Sequence, residues 1–194
     1  KEIVGNFYNL TENFRVVADG EELKIGRHTL KFVSIPFVHW PETMVTYDEE
    51  DQILFSCDAF GGYGALPGIL FDDQCADLSF MEEEALRYYS NIVAAHSAHT
   101  KRAIAKLVNT PIQMIAPSHG LIWRSHPERI FELYSKWANY SDGGREKTAT
   151  VLYGSMYGNT RFFAESVIQA VAQKGLPVEV FDINSSHISY ILPS

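Results

Sequence analysis

Cysteine is scarce. Only 2 occur in 194 residues, Cys57 and Cys75, and they form no Cys-x-x-Cys pair. This excludes a disulfide-stapled scaffold and points to a reducing compartment. No uninterrupted apolar run reaches the roughly 18 residues a membrane helix needs, and no signal peptide is visible. The expectation is a cytoplasmic protein. Basic residues are outnumbered, 16 Lys and Arg against 24 Asp and Glu, for a net charge of −8. They form no cluster, so neither nucleic acid nor an anionic membrane surface is an expected partner. Two phosphate-binding signatures are also missing. There is no GxxxxGK[ST] loop and no GxGxxG fingerprint.

What remains is ordinary globular material. An apolar content of 46% is enough for a buried core. The length suits one large domain, or one and a part. The chain opens on Lys1 rather than Met, so the expectation is a start after processing or partway along a longer protein.

Residues 1–20 give weak signals. Segments 21–26 and 29–35 read as strands about a turn at Gly26-Arg27, the second ended by Pro36. Segments 44–47 and 52–56 read as a hairpin around the acidic turn 48–51. Asp58 follows directly. A glycine-rich loop runs to about Ser79. Residues 82–107 read as one long helix with a stop at Asn109 and Pro111, and 112–116 as a short buried strand ending at Pro117-Ser118-His119-Gly120. Residues 127–140 read as another helix, with Pro127 at its first position. The polar stretch 141–147 reads as a linker.

The segment after the linker organises the chain. A β-branched run, 148–153, leads into Gly154-Ser155-Met156-Tyr157-Gly158-Asn159-Thr160, and a helical pattern follows over 161–174. A strand, a tight turn and a helix collect free backbone N–H groups and the positive helix end at one point, which suits a phosphate. The hydroxyls of Ser155 and Thr160 can add donors. The same residues also suit a βα turn that binds nothing.

His39, Asp58 and His119 each lie at or just past a strand end, where sites are commonly built. Two imidazoles and a carboxylate suit iron, zinc or manganese, and a carboxylate can bridge two ions. Taken singly, each has a plainer reading as a core histidine, a turn former or a loop residue. His96 and His99 stand i, i+3 on one helix face and read either as surface residues or as a metal pair.

Four segments together resemble the flavodiiron proteins, also called A-type flavoproteins. They are Phe37-Val-His-Trp-Pro-Glu-Thr-Met44, Ile53-Leu-Phe-Ser-Cys-Asp-Ala-Phe-Gly61, Met114-Ile-Ala-Pro-Ser-His-Gly-Leu-Ile-Trp123, and the loop from Ser155 to Thr160. The resemblance runs over nearly the whole chain. It implies an α/β fold: an α+β sandwich of metallo-β-lactamase type over residues 1–143, then the start of a flavodoxin-like doubly wound parallel sheet over residues 144–194. It implies two cofactors, FMN and a non-haem pair of irons. His39 and His119 look like terminal iron ligands and Asp58 like the bridging carboxylate. Tyr89 looks like a tyrosine near the irons that can donate a proton, and reads equally as an aromatic that packs a helix onto the core. Ser155, Met156, Tyr157, Gly158, Asn159 and Thr160 look like the FMN phosphate loop.

The implied activity is reduction of dioxygen to water, of nitric oxide to nitrous oxide, or of both. The electron donor would be rubredoxin, a deazaflavin coenzyme or a nicotinamide-linked partner. The implied assembly is a head-to-tail homodimer, the flavin of one subunit beside the irons of the other. The family's His-x-Glu-x-Asp-His motif is missing, and only two strands of a flavodoxin-like sheet are present. The expectation is therefore an internal portion of a longer protein. With three ligands the site stays largely open, so the 194 residues alone are expected to bind iron weakly and not to catalyse. Two other classes stay open: a metal-dependent hydrolase of the β-lactamase superfamily, and an electron-transfer module without chemistry of its own.

Overall fold

Alternating burial sets the first sheet. In β3 (Met44–Asp48) Val45 and Tyr47 are buried, and in β4 (Ile53–Cys57) Leu54 and Ser56 are buried while Phe55 faces out. This is the period of a strand with one face covered. The computed structural model describes residues 2–9, 12–65, 67–143 and 147–193. Within these, β1 (Glu22–Ile25), β2 (His28–Ser34), β3, β4 and β5 (Met114–Pro117) form a five-stranded sheet in the order β1-β2-β3-β4-β5. The first four pair antiparallel, and β4 and β5 pair parallel, with Leu54 beside Ile115. The register slips between Phe55 and Cys57, and such a bulge re-aims the residues that follow it.

Two sequence expectations shift here. The helix α1 (Glu2–Tyr8) lies where the sequence signals are weak. The long helix expected over 82–107 is two helices, α2 (Ser79–Tyr88) and α3 (Ser97–Leu107), joined by a π-helical turn Tyr89–Val93 and a 3-10 turn Ala94–His96. Side chains cause the break. Asn91 Nδ2 donates to the carbonyl of Arg87 at 2.7 Å and Ser97 Oγ to that of Ala94 at 2.7 Å, so side chains compete for the helix's own acceptors.

The helix α4 (Pro127–Asn139) starts at the expected proline. One apolar cluster joins Val45, Leu54 and Ile115 of the sheet to Met81, Ala103, Leu107, Ile130, Tyr134 and Trp137 of the helices. The core of the molecule is here.

The remaining elements are β6 (Ala149–Tyr153), α5 (Asn159–Ala172) and β7 (Val178–Asp182). β6 and β7 pair parallel, Val151 beside Val180. The mixed sheet with its helices, followed by a second sheet that begins parallel, is the α/β arrangement expected. Residues 144–146 of the expected linker lie outside the described residues. The helix α5 begins two residues before the expected Arg161, directly after Gly158, whose φ of +85° only glycine adopts readily.

Candidate metal centre

The topology brings the three strand ends together. β4 and β5 run parallel, so Asp58 and His119 leave the sheet on the same edge. β3 runs antiparallel to β4, so the loop entering β3, which carries His39, reaches that edge too.

Each side chain is held by its own local structure. The turn after β4 is tied by Ser56 Oγ donating to the carbonyl of Ala59 at 2.6 Å and by Gly61 N–H donating to that of Asp58 at 3.2 Å. Cys57 and Phe60 on either side of it have φ of +55° and +63°, a strained conformation for residues with a side chain and one found at functional sites. The loop before β3 is closed by Thr43, which accepts from Trp40 N–H at 3.0 Å and donates to the Trp40 carbonyl at 2.8 Å. His119 Nδ1 lies 2.9 Å from the carbonyl of Gly62. A carbonyl only accepts, so Nδ1 carries the proton and Nε2 presents a lone pair. Glycines make this approach possible. A Cβ on Gly61 would stand 3.0 Å from His119 Cε1, and one on Gly120 2.7 Å from Gly62 N.

His39 Nε2 stands 3.4 Å from Asp58 Oδ2, and His119 Nε2 stands 3.8 Å from Asp58 Oδ1. Each imidazole addresses a different carboxylate oxygen. With metal–ligand bonds of about 2.0–2.2 Å, two ligands of one ion stand roughly 3–3.6 Å apart. The His39 pair lies inside that range and the His119 pair about 0.2 Å beyond it, so the donor set suits two ions joined by one carboxylate once His119 closes by that amount.

Tyr88 supplies the wall. Its ring meets His119 edge-on at 4.7 Å and His39 at 6.5 Å. Its hydroxyl is buried without a hydrogen-bond partner. Burial, reinforced by the charge of Asp58, pushes its ionisation well above the ordinary phenol range, so it stays a proton donor. The expected residue, Tyr89, points elsewhere. Its hydroxyl lies 2.9 Å from Ser97 Oγ and its ring packs on Tyr134 and Trp137 in the core. Neighbours on a helix point about 100° apart, so a slip of one residue changes the surroundings completely. Both rings are buried, Tyr88 at 3% and Tyr89 at 2% exposure, so helical spacing does not separate them, and the change from α2 to the π-helical turn at Tyr89 decides which one faces the histidines.

The other histidines lie apart from this cluster. His96 and His99 flank Phe37, their rings 6.1 Å apart. His28, Asp48 and Glu50 have ligand atoms within 4.8 Å of one another, but those atoms are already engaged. His28 Nδ1 lies 2.7 Å from Asp48 Oδ2, Glu50 N–H donates to Asp48 Oδ1, and Thr29 donates to Glu50 through N–H and hydroxyl. They clamp the β3–β4 turn onto β2.

The loop from Ser155 to Thr160 joins β6 to α5. Ser155 Oγ is buried and unpartnered, and no side chain caps α5, which leaves its first N–H groups open. A buried hydroxyl beside an uncapped helix end fits a phosphate. Asn184 Nδ2 donates to the Ser155 carbonyl at 3.3 Å and holds the loop, while Met156 and Tyr157 stay exposed.

A family model described as "ODP family beta lactamase" matches residues 3–120. Among curated proteins, the anaerobic nitric oxide reductase flavorubredoxin of Vibrio vulnificus is 38% identical over 195 residues, covering 98% of this chain and 38% of that protein. Among solved structures, a variant of the flavo di-iron protein from Thermotoga maritima has 35% identity and a TM-score of 0.86, covering 100% of this chain and 48% of that one. The rubredoxin oxygen:oxidoreductase of Desulfovibrio gigas has 27% identity and a TM-score of 0.87, covering 98% and 47%. The chain thus spans less than half the length of these relatives.

Proposed function

The chain belongs to the ODP family of beta-lactamase-like proteins, whose flavodiiron members are its relatives and structural neighbours, and from that premise we propose that it serves a flavodiiron oxidoreductase. Residues 1–143 would belong to the diiron unit and residues 144–194 to the flavin unit. His39 and His119 would be terminal ligands of the two irons and Asp58 the carboxylate between them. The substrate would be dioxygen or nitric oxide. The names of the Desulfovibrio and Vibrio relatives support one each. The donor would be rubredoxin or a deazaflavin coenzyme, in a head-to-tail homodimer in the cytoplasm. Among the described residues no helix is long and apolar enough to cross a membrane.

When bound, the irons supply reducing electrons and the coordination positions a diatomic gas needs. The chain's own residues do the rest. Gly62 fixes the His119 tautomer so that Nε2 faces the cluster. Tyr88 keeps water off one side of the imidazoles and holds a proton at its Oη. Ser155 Oγ and the open N–H groups of α5 would receive the FMN phosphate, with Thr160 adding a hydroxyl.

The observation that carries this reading is the meeting of His39 and His119 on opposite oxygens of Asp58. The test is gas consumption by the chain joined to the segments the family pattern adds, a His-x-Glu-x-Asp-His motif and the remaining flavodoxin-like strands, loaded with iron and FMN and fed by reduced rubredoxin, beside the same protein carrying Asp58→Ala. Uptake of dioxygen or nitric oxide that the substitution abolishes is expected. Hydrolysis of a β-lactam without gas uptake would assign the hydrolase class instead. Gas uptake unchanged by Asp58→Ala would contradict the site.

A further inference from the structure

Arg87 lies beside Tyr88 at the end of α2, and its guanidinium is held from several sides. Nε donates to Glu84 Oε1 at 3.0 Å, a second nitrogen donates to Glu84 Oε2, and the third donates to Ser189 Oγ at 3.0 Å. The Tyr63 and Tyr190 rings each lie 4.6 Å from it, so it pairs with two aromatic rings as well as a carboxylate. Asn91, from the π-helical turn, adds a bond from Nδ2 to the carbonyl of Ser189 at 2.9 Å. Ser189 and Tyr190 belong to the 3-10 turn Ile188–Tyr190, which follows β7. The second unit is therefore seated on the helix that carries Tyr88.

The contacts continue inward. Tyr63 N–H donates to the Glu84 carbonyl at 3.2 Å. The Tyr63 ring stands edge-on to Tyr88 at 5.2 Å and 89°, and Tyr88 stands edge-on to His119 at 4.7 Å. Gly62, next to Tyr63, is the residue that fixes the His119 tautomer. The Tyr88 hydroxyl has no hydrogen bond of its own to set its direction. Ring packing alone aims it.

The geometry points to Arg87 as a positioning residue that couples the seating of the turn Ile188–Tyr190 to the placement of Tyr63, Tyr88 and His119. Arginine suits the task because one planar fork meets Glu84 and Ser189 at once while its faces meet the rings. Lysine has a point charge and cannot do both. Only the consequence for metal depends on the function proposed above. The coupling itself is a property of the metal-free chain.

The experiment uses the full chain with ring-labelled histidine and tyrosine, read by NMR without metal. Tyr190→Leu removes one face of the stack at a half-exposed position, and Arg87→Lys removes the fork. Each is expected to shift the ring signals of His119 and Tyr88, whose ring partners among the described residues are each other, His39 and Tyr63 rather than Tyr190. Each should also raise hydrogen exchange in residues 187–191. Cobalt titration of the same variants is expected to show about tenfold weaker binding, the usual size for loss of a support behind a ligand. Exchange that rises in the turn while the His119 and Tyr88 signals stay fixed would overturn the coupling. Shifted rings in protein that takes up no cobalt at His39, Asp58 and His119 would support the coupling and count against the metal reading alone.

Discussion

The two sheets of this molecule are stabilised differently. In the five-stranded unit Val45, Leu54, Ile130 and Tyr134 are fully buried, and helices cover one face of the sheet. Beyond residue 147, the buried side chains among the described residues are Ala164 and Ser189, and Phe162 and Phe163 on α5 are 74% and 72% exposed. A parallel pair with one helix covers too little apolar surface to be stable by itself. The ligand sites follow the same division. The metal candidates stand on strand ends braced by a core, whereas the phosphate candidate is a loop on the weakly packed unit, where local opening costs least. Rigid support suits ions that need fixed ligand angles. A loop suffices for a phosphate gripped by backbone N–H groups.

The largest expected effect tests the contrast in packing. Leu54→Ala should destabilise by about 3 kcal/mol. Leu152→Ala, on half-exposed β6, should cost less than about 1 kcal/mol. Urea unfolding measures both, and equal costs would erase the distinction.

Asp72 sharpens it through pH. This buried carboxylate accepts backbone N–H groups from Arg124 at 2.9 Å, Ser125 at 3.1 Å and His126 at 2.9 Å. Burial by itself would raise its pKa, but those backbone donors outweigh it and hold the carboxyl below its ordinary range. The folded state thus favours the charged form. The stabilisation is complete above the ordinary carboxylate pKa of about 4 and fades as pH falls through the lower folded value. Asp72→Asn should cost about 2 kcal/mol at pH 7 and flatten the loss of stability between neutral and acid, followed by unfolding at a series of pH values.

The adjacent tyrosines give a smaller stability effect and separate stability from function. Tyr89→Phe loses the Ser97 bond and should cost about 1 kcal/mol with gas uptake unchanged. Tyr88→Phe removes an unpartnered hydroxyl and should leave stability level or slightly higher. It should slow uptake about a hundredfold if the phenol is the proton donor. Paired melting curves and rates decide between them. Ser155→Ala should change stability least, within about 0.5 kcal/mol, yet weaken FMN binding roughly tenfold, as loss of a hydrogen bond to a charged group does. Flavin fluorescence reads that directly.

The hairpins were legible because local chemistry determines them. Gly26-Arg27 and the acidic turn 48–51 break two alternating runs, and the pairs β1–β2 and β3–β4 form about them. Asp58 and His119 were visible as polar residues at strand ends. Their meeting needed the parallel pairing of β4 and β5, which joins residues far apart in sequence. The division of α2 from α3 was hidden because it depends on where the Asn91 and Ser97 side chains send their hydrogen bonds. Periodicity cannot read that choice, and the expectation fell on Tyr89 where the structure puts Tyr88 against the histidines. The contact of Arg87 with Ser189 spans 102 residues and leaves no local mark.

The most direct test of the central claim is anomalous diffraction at the iron edge from crystals soaked in ferrous iron. The account predicts density against Asp58, on its His39 side, its His119 side or both. Density confined to His28, Asp48 and Glu50, or none near Asp58 at full occupancy elsewhere, would contradict it.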